Sequence, residues 1–427
     1  VLLHDAETLA LQFHFLMVQS VLGSLVLGYR PLWGQARTLV GVQLYVRDST
    51  AVPVDAPHLL RTLQEMWAVS SPPLLISPLS RQLLSDLLQH APRGTPWIVV
   101  PGAWLDDSAL FAQVQAAHQR GLRLVWRGPL SRLPEPEVAR CFDNSLLALQ
   151  AEDAMAALQA APPPRPGQPH PPGRGASPVI DGQMYEGVAS RALMAHCLDT
   201  HHALALAGWP QEDVLYSLRH QPMQPAHATI LKLLKAIDAE QSLDVFEDIL
   251  GEDPLLAYRF MVYTNSAALG LRTGIDSLRR GLVMMGYSSI RKWLSDQLPH
   301  ASTEPDLRPV RESMVLRARL TEHLIEPGAQ HELRREVYLC GLFSQLDELL
   351  GEPLGTILQR IPLSERVFNA CVLGTGAYAA SLQLARALET DDVAAIRQLC
   401  EDHELEQENV NRILLRMLAG TRRGTPA

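Results

Sequence analysis

The chain has 427 residues, long enough for two or three domains that each bury a core. Apolar residues make up 47% and charged residues 19%, an ordinary globular balance, and the net charge of -9 argues against a general nucleic-acid surface. No apolar run approaches the ~20 residues of a membrane span. Nothing near Val1 has the charged, apolar and small-residue layout of a signal peptide, and a first residue other than methionine leaves the N-terminus open.

Short apolar and β-branched runs come first. Leu25–Tyr29, Leu39–Val46, Leu74–Ile76, Ile98–Val100 and Leu122–Trp126 read as buried parallel strands. Pro57–Val69, Ser80–His90 and Ser108–Arg120 read as the helices between them, and this repeat implies a parallel sheet, open or closed into a barrel. From Ala161 to Pro178 the sequence APPPRPGQPHPPGRGASP has no apolar periodicity. Proline fixes φ and lacks an amide donor, so this run predicts an extended linker or insertion.

After about Gln221 the strand signal stops. Asp253-Pro254 has the form of a helix start, an acceptor at the N-cap followed by proline at the first helical position. Leu256, Phe260 and Tyr263 then share one apolar face. Leu278, Leu282 and Met285 repeat that spacing, Gly286 predicts a left-handed stop, and Ile290, Trp293 and Leu294 open the next helix. Helical patterning continues to Gly420, and a polar tail, Thr421–Ala427, follows. The five cysteines (Cys141, Cys197, Cys340, Cys371 and Cys400) form no metal or redox spacing and read as reduced, buried thiols, which points to the cytoplasm.

Three features recur in a known order: Leu233-Leu234, EDPLLAYRFMVYTNSAALG from Glu252 to Gly270, and IDSLRRGLVMMG from Ile275 to Gly286. Together the segment Ile230–Leu294 resembles the HDOD output domain, a helical relative of the HD phosphohydrolases. The resemblance implies structural roles for Asp253, Pro254, Asn265, Ser266 and Gly286, with Asn265 closing a helix junction. YLCGLFSQLDELLG, from Tyr338 to Gly351, resembles the HD helix, with Ser344-Gln345 where the metal-ligating His-Asp pair would stand. Asp347 lies three residues past Ser344, with no histidine beside it.

The preceding region resembles the EAL-type cyclic di-GMP phosphodiesterase barrel, through LGYRPL (Leu27–Leu32), ISPLSRQLLSDLL (Ile76–Leu88), WIVVPG (Trp97–Gly102), GLRLVWRG (Gly121–Gly128) and YEGVAS (Tyr185–Ser190). It implies a degenerate (βα)8 barrel over about Leu11 to Pro222, with the proline-rich run as an insertion. The domains would be 1–222 for the barrel, 223–420 for the helical domain and 421–427 for the tail. That family's metals need carboxylate and amide oxygens. At the matching positions stand Arg30, Pro78, Val100, Arg127, Gly128 and Ala189, and only Glu186 survives. A guanidinium repels metal, since like charges 4 Å apart cost about 4 kcal/mol at an effective dielectric of 20. Arg30 and Arg127 read either as ion-paired arginines or as an anion-binding pair.

Adjacent His201-His202, and His196 five residues before His201, are poorly placed to share a metal on a helix. His323, His331 and His403 read as exposed. Neither a Walker loop nor a nucleophile elbow occurs; GTGAY, from Gly374 to Tyr378, reads as a helix break. The expected function is non-catalytic signal transduction through other signalling proteins in a cyclic di-GMP-related bacterial pathway. No enzyme activity, cofactor, metal, nucleic acid or membrane insertion is expected, and homo-oligomerisation stays open. The alternatives are a cyclic di-GMP sensor that binds without turnover, or a residual metal-dependent phosphodiesterase using Glu186 and Asp213.

Overall fold

Alternating and helical patterns meet in the computed structural model, which describes residues 20–49, 54–160, 176–266, 274–325 and 330–421. The alternating part is a closed barrel of eight strands in sequence order. They are β1 (Leu25–Trp33), β2 (Leu39–Asp48), β3 (Leu74–Pro78), β4 (Trp97–Pro101), β5 (Leu124–Pro129), β6 (Asn144–Ala148), β7 (Met184–Glu186) and β8 (Ala205–Ala207). Helices α1 (Ala56–Met66), α2 (Arg81–His90), α3 (Ser108–Gln119), α4 (Pro136–Ala139), α5 (Ala151–Gln159) and α6 (Arg191–Ala195) lie between them, and α7 (Gln211–Leu218) follows β8. Local chemistry sets their starts. The Ser80 hydroxyl accepts from the Leu83 amide at 3.2 Å, and Leu83, Leu84, Leu87 and Leu88 form the buried face of α2. α1 stops at Met66 rather than Val69.

Strands β2 to β8 are parallel, each to the next. β1 is reversed and pairs antiparallel with both β2 and β8, which corrects its placement among the parallel strands. The connection explains it. Only residues 34–38 separate β1 from β2, closed by a Gly34 amide to Thr38 carbonyl bond and by Arg37 at φ 54°. A parallel return needs a crossover of about a dozen residues or more. The barrel closes, but its first unit is a hairpin, not a βα pair.

Strand alternation then sorts the side chains. Leu32, Leu75, Val99, Val125, Leu146 and Met184 share the barrel's inner apolar layer. Leu44, Ile76, Val100 and Leu124 belong instead to the core outside it.

The helical part comprises α8 (His227–Asp238), α9 (Leu243–Leu250), α10 (Pro254–Thr264), α11 (Leu278–Gln297), α12 (Leu307–His323), α13 (His331–Phe343), α14 (Leu346–Leu350), α15 (Leu354–Leu358), α16 (Glu365–Phe368), α17 (Ala379–Leu388), α18 (Val393–Asp402) and α19 (Gln407–Gly420). Gly286 takes φ 68° and ψ 160°, non-helical values with positive φ, so two helices meet there across a kink within Leu278–Gln297, and the expected break falls at Gly286. Ser344 and Gln345 are not inside one helix. Gln345 leaves helical geometry (φ -134°, ψ 22°) and separates α13 from α14.

The boundary at 222/223 separates strand-bearing from all-helical chain, but it does not separate the cores. Helices α8 to α16 share a core with the outer faces of β6 to β8. Leu384 and Leu388 of α17, Ile396 of α18 and Leu414 and Leu418 of α19 join β1 to β5 instead. The strand without a crossover helix is thus covered by the end of the chain. Asn411, fully buried, fixes the contact: its Nδ2 donates to the Leu22 and Leu25 carbonyls at 2.8 and 2.7 Å, and its Oδ1 accepts from the Leu27 amide at 3.2 Å. No helix among the described residues is long and apolar enough to cross a membrane. The proposed barrel start at Leu11, most of the proline-rich run and the tail from residue 422 lie outside the described residues.

Candidate functional site

The carboxyl ends of β2 to β8 form the barrel mouth, where (βα) barrels place their chemistry. Because β1 is reversed, Gly28 and Arg30 stand opposite Tyr45 and Gln43 of β2 there. The Arg127 guanidinium grips Glu186 with both prongs, Nε to Oε1 at 2.8 Å and Nη2 to Oε2 at 3.1 Å. Arg30 lies over the Tyr45 ring at 5.5 Å from its centroid. Tyr45 donates to Gln43 Oε1 at 3.3 Å, and Gln43 Nε2 donates to Ser77 Oγ at 2.9 Å. Burial pushes the Tyr45 hydroxyl up to about 12, against the pull of Arg30 and Arg127. Burial also works against the Arg127 charge, but the hydrogen-bonded Glu186 outweighs it and holds that guanidinium above its usual value.

Arg127 and Glu186 therefore meet, with Arg30 close by. Pro78, Val100 and Gly128 do not join them. Ile76 and Val100 sit in the outer core, and a Cβ on Gly128 would strike the outward Trp126 ring at 2.4 Å. The inward residues at those levels are Ser77, Pro101 and Arg127, one position away along each strand. Among the described strand residues, Glu186 is the inward carboxylate at the mouth, and its two oxygens are occupied by Arg127.

A second element reaches the mouth from the far end of the chain. The carbonyl oxygen of Thr390, in the α17–α18 loop, lies 2.2 Å from where a Cβ on Gly28 would be. Only glycine admits that approach. Glu389, just before it, is held by Arg317 of α12 through Nε at 2.9 Å. Asp391, just after it, contributes its charge at Tyr45 and Arg127. No local pattern signals this contact, which joins residues more than 350 positions apart.

In the helical part, Asp253 is fully buried. Its Oδ1 accepts from the Leu255 and Leu256 amides at 2.9 and 3.0 Å, Pro254 opens α10, and Oδ2 accepts from the Ala226 amide at 2.6 Å. Asn265 Nδ2 donates to the Met261 and Ile275 carbonyls at 2.8 and 2.9 Å, and Oδ1 accepts from the Ile275 amide at 2.7 Å, bridging the end of α10 to the start of the next segment. Ser266 Oγ is buried with no hydrogen-bond partner among the described residues. Ser344 donates to the Gly341 carbonyl at 2.8 Å, and Gln345 to Glu348 at 2.8 Å. Asp213, in α7, accepts from the Arg191 amide at 2.7 Å, at the first residue of α6.

Two groupings escaped the sequence reading. His196 and His201 do share a face, with ring centroids 4.7 Å apart, because residues 196–200 form a π-helical turn with i, i+5 bonding. They are taken up separately, His201 by Asp181 at 2.6 Å and His196 by Ser177 at 2.8 Å. Asp244, Glu247 and His331 also converge, with ligand atoms within 4.8 Å of one another. Two guanidiniums already neutralise them: Arg279 pairs with Asp244 and lies 3.7 Å from Glu247, and Arg335 is 3.9 Å from Glu247. Glu247 and His331 line a cleft of about 1660 Å³ between α8, α9, α12 and α13.

The buried Asp253 cap and the Asn265 bridge frame the segment that comparison with known proteins identifies. Residues 223–351 match the HDOD domain. The chain is also 21% identical over 199 residues to the cyclic di-GMP phosphodiesterase CdgJ of Vibrio cholerae, covering 46% of each chain. It is 23% identical over 191 residues to the uncharacterized protein YuxH of Bacillus subtilis, covering 44% of this chain and 46% of that one. The matches thus span about half the length of these relatives. Among solved structures it is similar to the MmoQ response regulator of Methylococcus capsulatus, with a TM-score of 0.38 and 16% identity, over 45% of this chain and 98% of that one. An HDOD domain and a cyclic di-GMP-related relative support a role in signalling.

Proposed function

We propose that this protein transmits a signal by binding other proteins, and that its barrel is an EAL-type phosphodiesterase barrel no longer able to cleave cyclic di-GMP. One observation carries the reading: the surviving acid of the mouth, Glu186, is clamped by Arg127 at 2.8 and 3.1 Å. A divalent ion polarises phosphate only where several oxygen donors converge. Here one carboxylate faces inward from the strands, and a cation that a metal would have to displace already holds it. The α17–α18 loop over Gly28 further narrows the approach. On this reading the partners are other signalling proteins, met in the cytoplasm, and the HDOD surface is the output.

The test is a cyclic di-GMP hydrolysis assay on the full chain with magnesium or manganese. The expected result is no turnover above the metal-only control. Metal-dependent turnover abolished by Glu186→Ala overturns the proposal.

A second reading is favoured by Arg30. Its guanidinium stacks on Tyr45 but makes no hydrogen bond among the described residues, so it could hold a phosphate. Calorimetry with cyclic di-GMP separates the two. Heat that disappears in Arg30→Ala supports a sensor, and no heat leaves the protein-binding role.

A further inference from the structure

Of the five free cysteines, Cys340 and Cys371 are the two whose sulfurs meet among the described residues, at 3.6 Å. Cys340 lies in the last turn of α13 and is fully buried. Cys371 lies in the π-helical turn Asn369–Leu373 that continues α16, and its thiol donates to the Cys340 carbonyl at 3.3 Å. The two come from segments 31 residues apart, one inside the HDOD match and one beyond it.

We propose that Cys340 and Cys371 are an intramolecular disulfide site, closed by a peroxide-class oxidant. A disulfide needs a sulfur separation of about 2.05 Å, so the pair must close by about 1.5 Å. The Cys371 side has room to give. It is 9% exposed, its neighbours Val372 and Leu373 face solvent, and Gly374 and Gly376 follow at positive φ, as a segment able to shift requires. A π-turn is also a locally strained form of helix, often placed where a function needs it. Cys340, fully buried in a regular helix, is the fixed partner.

The geometry sets the order of the chemistry. The Cys371 thiolate attacks one peroxide oxygen, the O–O bond breaks, and a sulfenic acid and one water result. The Cys340 sulfur then attacks the Cys371 sulfur, the S–O bond breaks, and a second water leaves. In sum, two thiols and one hydrogen peroxide give one disulfide and two waters. The neighbouring Cys371 thiol and burial both push the Cys340 thiol up, so little thiolate exists while the segment is closed. The second step, attack by the Cys340 sulfur, therefore waits on local opening of residues 369–376.

The experiment uses the full chain, treated with hydrogen peroxide, quenched, alkylated under denaturing conditions and mapped by mass spectrometry. The expected result is a Cys340–Cys371 cross-linked peptide, loss of two of the five alkylatable thiols, and a monomer on non-reducing gels. Its melting midpoint should rise by about 5 °C, from restriction of the unfolded chain. Cys371→Ser should abolish the cross-link, while Cys400→Ser should leave it intact. Five thiols surviving oxidation, a cross-link joining other cysteines, or Cys371 sulfinic acid without any bridge would each overturn the proposal. Should Cys371→Ser fold poorly, Cys340→Ala serves instead, with Cys371 expected to stop at the sulfenic acid, trapped by dimedone.

Discussion

The barrel mouth and the cleft of the helical region are both crowded with charge, yet they satisfy it in different ways. At the mouth Arg127 and Glu186 meet at hydrogen-bond distance, and Tyr45, Gln43 and Ser77 form a connected chain. Along the cleft of the helical region three buried atoms, Glu247 Oε2, Arg311 Nε and Arg335 Nε, have no hydrogen-bond partner among the described residues. A closed network resists change because removing one member strands another. The cleft also holds contacting pairs, Arg335 with Asp248 at 2.9 Å, Lys232 with Glu252 at 2.6 Å and Arg308 with Glu312 at 2.7 Å, but its buried carboxyls are only partly paired, and such a set responds to protonation. The first region is therefore expected to be brittle to mutation and indifferent to pH near neutrality, and the second the reverse.

This contrast places α17 to α19 with the barrel, and the largest expected effect tests that. Asn411→Ala strands the Leu22 and Leu25 carbonyls and the Leu27 amide at the start of β1. At about 1 kcal/mol or more for each buried orphan, the loss is about 3 kcal/mol. Denaturant unfolding followed by tryptophan fluorescence should show the midpoint fall for the barrel as well as the helices. A loss confined to the C-terminal helices would break the assignment.

Next comes the mouth itself. Arg127→Ala leaves Glu186, only 7% exposed, charged and unpaired, with an expected cost of about 2 to 3 kcal/mol. The double variant Arg127→Ala with Glu186→Ala removes the stranded charge and should recover more than half of that. A double-mutant cycle measures it, and simple additivity would mean that the pair is not coupled.

How far the sequence leads is clearest at β1. Its apolar run is the same in either direction, so composition cannot orient it. The five residues between Trp33 and Leu39 can, because no crossover helix fits there, and that signal was legible. Pro78 and Val100 show a second limit. Short motifs fix a strand's register only to within one residue, and in a strand one residue exchanges the inner face for the outer. Local signals fared better. The Asp253-Pro254 start needs only its own neighbours, and its cap forms as the spacing predicts. The Thr390–Gly28 approach and the Cys340–Cys371 contact depend on tertiary packing between distant segments, which no local pattern encodes.

The smallest effect separates the two regions by pH. Burial raises the carboxyls of Glu247, Glu312 and Glu322, each lining the cleft, above the ordinary glutamate range. A group whose folded value exceeds its unfolded value binds more protons when folded, so stability falls as pH rises across that interval. The window runs from the unfolded glutamate value of about 4.3 up to the raised values. Above it the penalty is constant. His196, lowered by burial and by His201, acts with the opposite sign below about 6.5, so the raw profile mixes the two. The difference between wild type and Glu312→Gln isolates the carboxyl. Glutamine carries no charge to desolvate but also gives up the attraction of Arg308, so the net change near neutral pH should be small, under about 1 kcal/mol. The sign is the sharper test. The variant's stability relative to wild type should improve as pH rises from about 4.3 through the raised value and then level off. An unchanged difference across that range would place Glu312 in solvent, and the contrast between a closed mouth and an electrostatically held cleft would lose its second half.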